Sequence, residues 1–201
     1  MHLLTGPFRR DDVALPKTGG RPTGSARQGL CALLLAGSAL LAAPLRAAAE
    51  GPALPEFTHA AAGDWLNTSP LHAAELRGHP VLVEFWTFGC SNCLASMPWM
   101  RAAAARYRGR GLTIVGVHTP ELPAEYRRDA VHAAVARLGI DYPVMIDEDY
   151  SYWRALANRY WPAFFLYDAA GRLVATHAGE LHRGEPRSDA FEKLVERSLA
   201  P

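Results

Sequence analysis

Val81-Leu82-Val83-Glu84-Phe85-Trp86-Thr87-Phe88-Gly89-Cys90-Ser91-Asn92-Cys93 is the stretch whose reading decides how this chain folds. Its first six residues are apolar except for Glu84, the pattern of a strand covered on both faces. From Ser91 the apolar positions Met97, Met100, Ala104 and Tyr107 recur at helical spacing until Gly109 and Gly111 stop them. A buried strand therefore runs through a short turn into a helix, and the two cysteines stand at the junction.

A disulfide across so short a loop removes little chain entropy, roughly 2 kcal/mol against about 3 for a loop of 15 residues. The pair is a poor staple, which points to reactivity instead. At a strand-to-helix junction Cys90 lies where unpaired backbone N–H groups and the helix dipole favour an anion, and the thiolate is the reactive form of cysteine. Cys93, one turn further in, is expected to be the more buried. Half of a zinc site is the competing reading, but no second Cys-x-x-Cys or nearby histidine pair completes one.

Composition bounds the rest. A chain of 201 residues with 49% hydrophobic and 20% charged content suits one ordinary globular domain. The formal net charge of +1 hides an asymmetry: residues 1–49 carry six basic and two acidic side chains, and the remainder carries fifteen and eighteen. Residues 50–201 are thus near −3, which provides no electrostatic footprint for nucleic acid.

Arg9, Arg10, Lys17, Arg21 and Arg27 precede an apolar run, Leu30 to Ala43, and Ala47-Ala48-Ala49 follows. Charged, apolar and small-residue segments in that order predict an export signal over 1–49, cleaved after Ala49, with a periplasmic domain over 50–201. The run is shorter than the roughly 20 residues of a membrane span; an uncleaved N-terminal anchor is the alternative. Cys31 would leave with the signal. The exported part then holds Cys90 and Cys93 alone, in a compartment that permits a disulfide.

Further along, residues 50–70 read as a leader with little regular structure, anchored by Phe57, Trp65 and Leu66. Leu112 to Val117 reads as a second buried strand, and Ala130, Val131, Ala134, Val135 and Leu138 as the stripe of a helix capped by Gly139. Tyr142 to Ile146 is a short third strand and Tyr150 to Arg159 a helix. Ala163 to Tyr167 and Leu173 to His177 form a hairpin around Asp168-Ala169-Ala170-Gly171, and Asp189 to Leu199 closes the chain as a helix. The predicted class is α/β, with a sheet parallel in part and antiparallel at one edge. His118 is expected in a loop, and Asp147-Glu148-Asp149 in a solvated turn without a metal.

The stretch from Phe85 to Cys93, with Pro98 five residues after the second cysteine, resembles the thioredoxin superfamily. Within it, Trp65-Leu66-Asn67, Leu76-Arg77-Gly78, Gly116-Val117-His118-Thr119-Pro120-Glu121 and Arg159-Tyr160-Trp161-Pro162-Ala163 are similar to the exported TlpA and DipZ-type proteins. The resemblance spans about residues 57–180. It implies a thioredoxin-like fold, a central mixed sheet flanked by helices, with an extra helix between the second and third core strands.

The resemblance also implies a thiol–disulfide oxidoreductase in which Cys90 attacks, Cys93 resolves, Glu84 relays a proton and Pro162 is the cis-proline facing the sulfurs. Trp161, Phe88 and Trp86 are the candidate substrate-binding aromatics; Trp86 and Phe88 read as half core and half rim of the sulfur site, and core is the safer reading for Trp86. Protein disulfides or dithiols are the implied substrates and a membrane electron donor the implied partner. A monomer is expected, with no cofactor beyond the Cys90–Cys93 redox-active disulfide. Ser91-Asn92 lacks the histidine of strongly oxidising relatives, which favours a reductase. Two other readings stay open, a copper-binding or metallochaperone module using the two thiols, and a peroxiredoxin-like peroxidase suggested by Thr87-Phe88-Gly89-Cys90.

Overall fold

The computed structural model describes residues 51–200, so the segment read as a signal or anchor lies outside the described residues. Six strands form one sheet in the order β1-β4-β3-β2-β5-β6. β2 (Val81–Trp86) runs through its middle with every residue buried. β3 (Thr113–His118) lies parallel to β2 in unbroken register, from Val81 opposite Thr113 to Trp86 opposite His118, and β4 (Val144–Ile146) continues the parallel part. β5 (Ala163–Tyr167) pairs antiparallel with β2, and β6 (Leu173–Ala178) with β5. Among the described residues no helix is long and apolar enough to cross a membrane.

Alternation along β2 builds two cores, because successive side chains of a strand point to opposite faces. Val81, Val83 and Phe85 pack with Phe57, Trp65, Tyr152 and Phe165 on one side. Leu82 and Trp86 pack on the other, under Met97, Met100 and Tyr107 of α1 (Ser91–Tyr107) and Phe191 and Val195 of α4 (Pro186–Ser198). Glu84 stands between Leu82 and Trp86, so its carboxyl is committed to the α1 side. The predicted extra helix is α2 (Arg128–Leu138), between β3 and β4, ended by Gly139 at φ 62°.

Three expectations need correction. The sheet is antiparallel at both edges, because β1 (Trp65–Leu66) pairs antiparallel with β4. Two residues show no alternation, so a strand this short leaves no period to read in the leader. The helix expected to reach Arg159 is only α3 (Ser151–Ala155), cut off where Ala157 turns to φ 50°. The second strand begins at Thr113 and ends at His118, which is therefore a strand residue and fully buried.

β1 leads directly to Asn67, at φ 63°, whose Nδ2 donates to the carbonyls of Ile140 and Tyr142 at 3.0 and 2.9 Å. This side chain ties the leader to the segment entering β4. Asn67→Ala removes both bonds and leaves a Cβ residue in the left-handed region, where asparagine is better tolerated. Chemical denaturation is expected to show a loss of about 2 kcal/mol; an unchanged midpoint would mean that the leader is not held here.

Candidate functional site

The parallel register brings three chain segments to one end of the sheet. β2 ends at Trp86 and leads into the cysteines; β3 ends beside it at His118; β5 begins beside it at Ala163, one residue after Pro162. Cys90 is the N-cap of α1, in extended conformation, and its Sγ accepts the Cys93 N–H at 3.2 Å. Cys90 is half-buried, Cys93 is fully buried, and both are free thiols. Burial pushes the Cys93 thiol well up, helped by its hydrogen bond with Cys90 and by the charge of Glu84.

Glu84 is fully buried, and burial pushes its carboxyl up to about 8 from 4.5. One contact opposes the shift: the Tyr142 hydroxyl donates to Oε2 at 2.9 Å, while Oε1 has no partner. The carboxyl and Cys93 interact on the same side of the sheet. Such an acid changes its charge near neutral pH, as a proton-transfer group must.

A second carboxylate lies beneath the cysteine turn. Glu125, only 2% exposed, belongs to the 3₁₀ turn Pro123–Tyr126 that follows β3. Its Oε1 accepts the Gly89 N–H at 2.6 Å, and its Oε2 the N–H groups of Glu121 and Leu122 at 2.6 and 2.7 Å. Burial alone would raise its pKa, but these bonds and one from the Thr87 hydroxyl hold it below the ordinary carboxylate value. A Cβ at position 89 would fall 2.5 Å from Oε1 and 3.1 Å from Leu122 Cδ1, so glycine is what allows the turn and the carboxylate to meet.

His118 completes this layer. Its Nε2 and the Thr87 hydroxyl are 3.2 Å apart, its ring stacks on Phe88 with centroids at 5.6 Å, and burial pushes it down to about 4. It is therefore a neutral ring at neutral pH, not an imidazolium beside the sulfurs.

The bond between Trp161 and Pro162 is cis. Trp161 is half-buried: its Nε1 donates to the Thr119 carbonyl at 3.0 Å and its ring packs on Trp153 at 4.1 Å. Phe88 is half-buried beside the cysteines. Of the two readings of Trp86, core and rim, the structure places it in the core: it is fully buried and packed edge-on against His118, so its place among the substrate-binding aromatics is corrected. Its side chain follows the inward alternation of β2, so it cannot meet a substrate in this conformation.

The acidic turn is also not simply solvated. Asp147 is buried, and its two oxygens accept the N–H groups of Tyr152 and Trp153, each at 2.9 Å, and the Thr119 hydroxyl at 3.1 Å. His59, Asp147 and Asp149 bring ligating atoms within 4.8 Å of one another. The buried carboxylate there is already used by the first turn of α3.

The Redoxin family profile matches residues 49–194. The chain belongs to the Redoxin family. This redoxin is 40% identical over 119 residues to protein DipZ of Mycobacterium tuberculosis, a match covering 58% of the chain and 17% of DipZ. It thus spans about a sixth of that relative's length. It is 29% identical over 147 residues to the thiol-disulfide oxidoreductase YkuV of Bacillus subtilis, covering 73% of the chain and 94% of YkuV. The crystal structure of a putative thiol:disulfide interchange protein DsbE from Chlorobium tepidum superposes with a TM-score of 0.62 at 23% identity, over 75% of the chain and 98% of that protein. The fold is thioredoxin-like, as the sequence reading expected.

Two residues that shape the redoxin's site escaped the sequence reading. Tyr142 has the pattern of a strand start, and its contact with Glu84 spans 58 positions. Glu125 carried a partial signal: Pro123 followed two residues later by an acid is a helix-start pattern, which predicts a bond back to Leu122 but not to Gly89. Glu125→Ala leaves the N–H groups of Gly89, Glu121 and Leu122 without their acceptor, and is expected to lower stability by about 3 kcal/mol in denaturant titration. A loss under about 1 kcal/mol would show that water replaces the carboxylate without cost.

Proposed function

We propose that this redoxin is an exported thiol–disulfide oxidoreductase that reduces protein disulfides. The observation that carries the reading is the graded pair at the head of α1: an accessible Cys90 capping the helix and a buried Cys93 that shares its side of the sheet with a high-pKa carboxyl. The name borne by YkuV supports the thiol–disulfide oxidoreductase part of this reading.

In the reductive direction, the Cys90 thiolate attacks one sulfur of a substrate disulfide, forming a mixed disulfide and releasing the first substrate thiolate. Glu84, as carboxylate, takes the proton from the Cys93 thiol. Cys93 then attacks Cys90 Sγ; the Cys90–Cys93 bond forms, the mixed disulfide breaks, and the second substrate thiolate leaves. Two thiols are oxidised, one disulfide is reduced, and the proton passes to a departing sulfur. A dithiol donor, in this reading a membrane protein, returns the pair to its reduced state. Half-buried Phe88 and Trp161 border the place where the substrate chain would lie, next to Pro162.

The direction follows from what surrounds the nucleophile. Strong oxidants of this chemistry stabilise their reduced form. Here Ser91 and Asn92 provide no cation between the cysteines, and His118 is buried and neutral. Export rests on the charged, apolar and small-residue order of residues 1–49.

Cys90→Ser is expected to abolish reduction of insulin disulfides, whereas Cys93→Ser accumulates mixed disulfides visible on non-reducing gels; equal trapping by both variants would overturn the roles. The reduction potential of the Cys90–Cys93 couple, measured against glutathione, is expected near the thioredoxin end at about −270 mV. A value near about −120 mV would reverse the direction.

A further inference from the structure

We infer that Tyr142 is a positioning residue of this site: its hydroxyl, admitted to the sheet by the missing side chain of Gly116, orients Glu84 and favours the carboxylate form that accepts the Cys93 proton. The inference rests on the oxidoreductase reading above and adds to it the device that keeps a buried acid usable at neutral pH.

The geometry is specific. Gly116 is the register partner of Glu84 across β2 and β3. A Cβ on Gly116 would come within 3.1 Å of Tyr142 Cε2 and 3.0 Å of Trp86 Nε1, so any larger residue crowds the tyrosine ring away from β3. The backbone that carries the ring is pinned on two sides, by Asn67 Nδ2 on the Ile140 and Tyr142 carbonyls and by the Gly116 N–H on the Pro143 carbonyl at 2.9 Å. Little freedom remains for the hydroxyl except against Glu84.

The neighbours of the carboxyl leave Tyr142 as its polar partner. α1 presents the Cys93 thiol, β3 presents Gly116, and β5 presents apolar Phe164 in register with Glu84. Oε1 has no hydrogen bond among the described residues. The charged groups that act on Tyr142 itself are Glu84 and, with opposite signs, Asp141 and Arg101; burial foremost holds the phenol well above its usual value, so it remains an O–H donor.

A donor to a carboxylate favours the charged form, so the Tyr142 bond opposes burial, which has already taken Glu84 to about 8. Without the hydroxyl the carboxyl titrates higher still, less of it is ionised at neutral pH, and the proton of Cys93 loses its acceptor. The resolving step therefore speeds up as pH rises through the Glu84 titration, and Tyr142 sets where that rise begins.

The step can be isolated in a single turnover of the reduced protein with an aromatic disulfide whose released thiolate is coloured. The first phase is attack by Cys90 and the second is resolution by Cys93. Tyr142→Phe is expected to move the rise of the second phase upward by about one pH unit, making it about tenfold slower at neutral pH and equal to the parent at high pH. Glu84→Gln is expected to lack the rise, and the double variant to coincide with Glu84→Gln. A rate lowered equally at all pH values, or an unmoved profile in folded Tyr142→Phe, overturns the role of Tyr142. If Glu84→Gln keeps the rise, the proton role of Glu84 in the proposed function fails instead. Should Tyr142→Phe not fold, Gly116→Ala, which crowds the same ring, is expected to shift the profile in the same direction, and an unmoved profile there overturns the inference.

Discussion

A carboxyl buried in the middle of the central strand is the constraint to which the active end of this redoxin answers. Glu84 sits on the α1 side of β2 between Leu82 and Trp86, where water is excluded and a charge is costly. The chain could satisfy such a group with an ion pair or leave it protonated. It provides one hydroxyl, from Tyr142, and leaves the other oxygen bare. The result is an acid poised between its two states, next to the thiol that in the proposed cycle must lose its proton.

The contrast with Glu125 shows how environment separates two identical side chains. Both are almost wholly buried, yet one is raised to about 8 and the other is held below its ordinary value. The difference is the number of donors: a single phenol faces Glu84, whereas three backbone N–H groups and the Thr87 hydroxyl face Glu125. The first arrangement leaves a group that titrates near neutral pH; the second leaves a carboxylate that fixes the backbone of Gly89, one residue before Cys90. Chemistry and architecture at this site thus use the same functional group under opposite hydrogen-bonding regimes.

Much of this was readable residue by residue, and the failures have local causes. β2, α1 and the β5–β6 hairpin were legible because each carries a sustained period or an unbroken apolar run. β1 was not, since two residues have no period, and α3 was overextended because a left-handed turn at Ala157 has no signature in an alanine. His118 looked like a loop residue because a polar side chain near Thr119-Pro120 suggests an exposed turn. Its burial depends on Trp86, at the end of β2, and Phe88, in the turn that follows, closing over it.

By itself the sequence determined the strand-turn-helix unit, the two cysteines at its junction and the presence of an acid in the strand. These are properties of neighbouring residues, and near-neighbour spacing expresses them. Which face of β2 receives α1, and hence that Glu84 rather than Phe85 shares a core with Cys93, was decided by the packing of the crossover. The partners of the two carboxylates were decided there as well. Tyr142 reaches Glu84 across 58 positions and Glu125 reaches Gly89 across 36. Contacts of that separation depend on how whole elements stack and on the space left by Gly116 and Gly89, which no local pattern records.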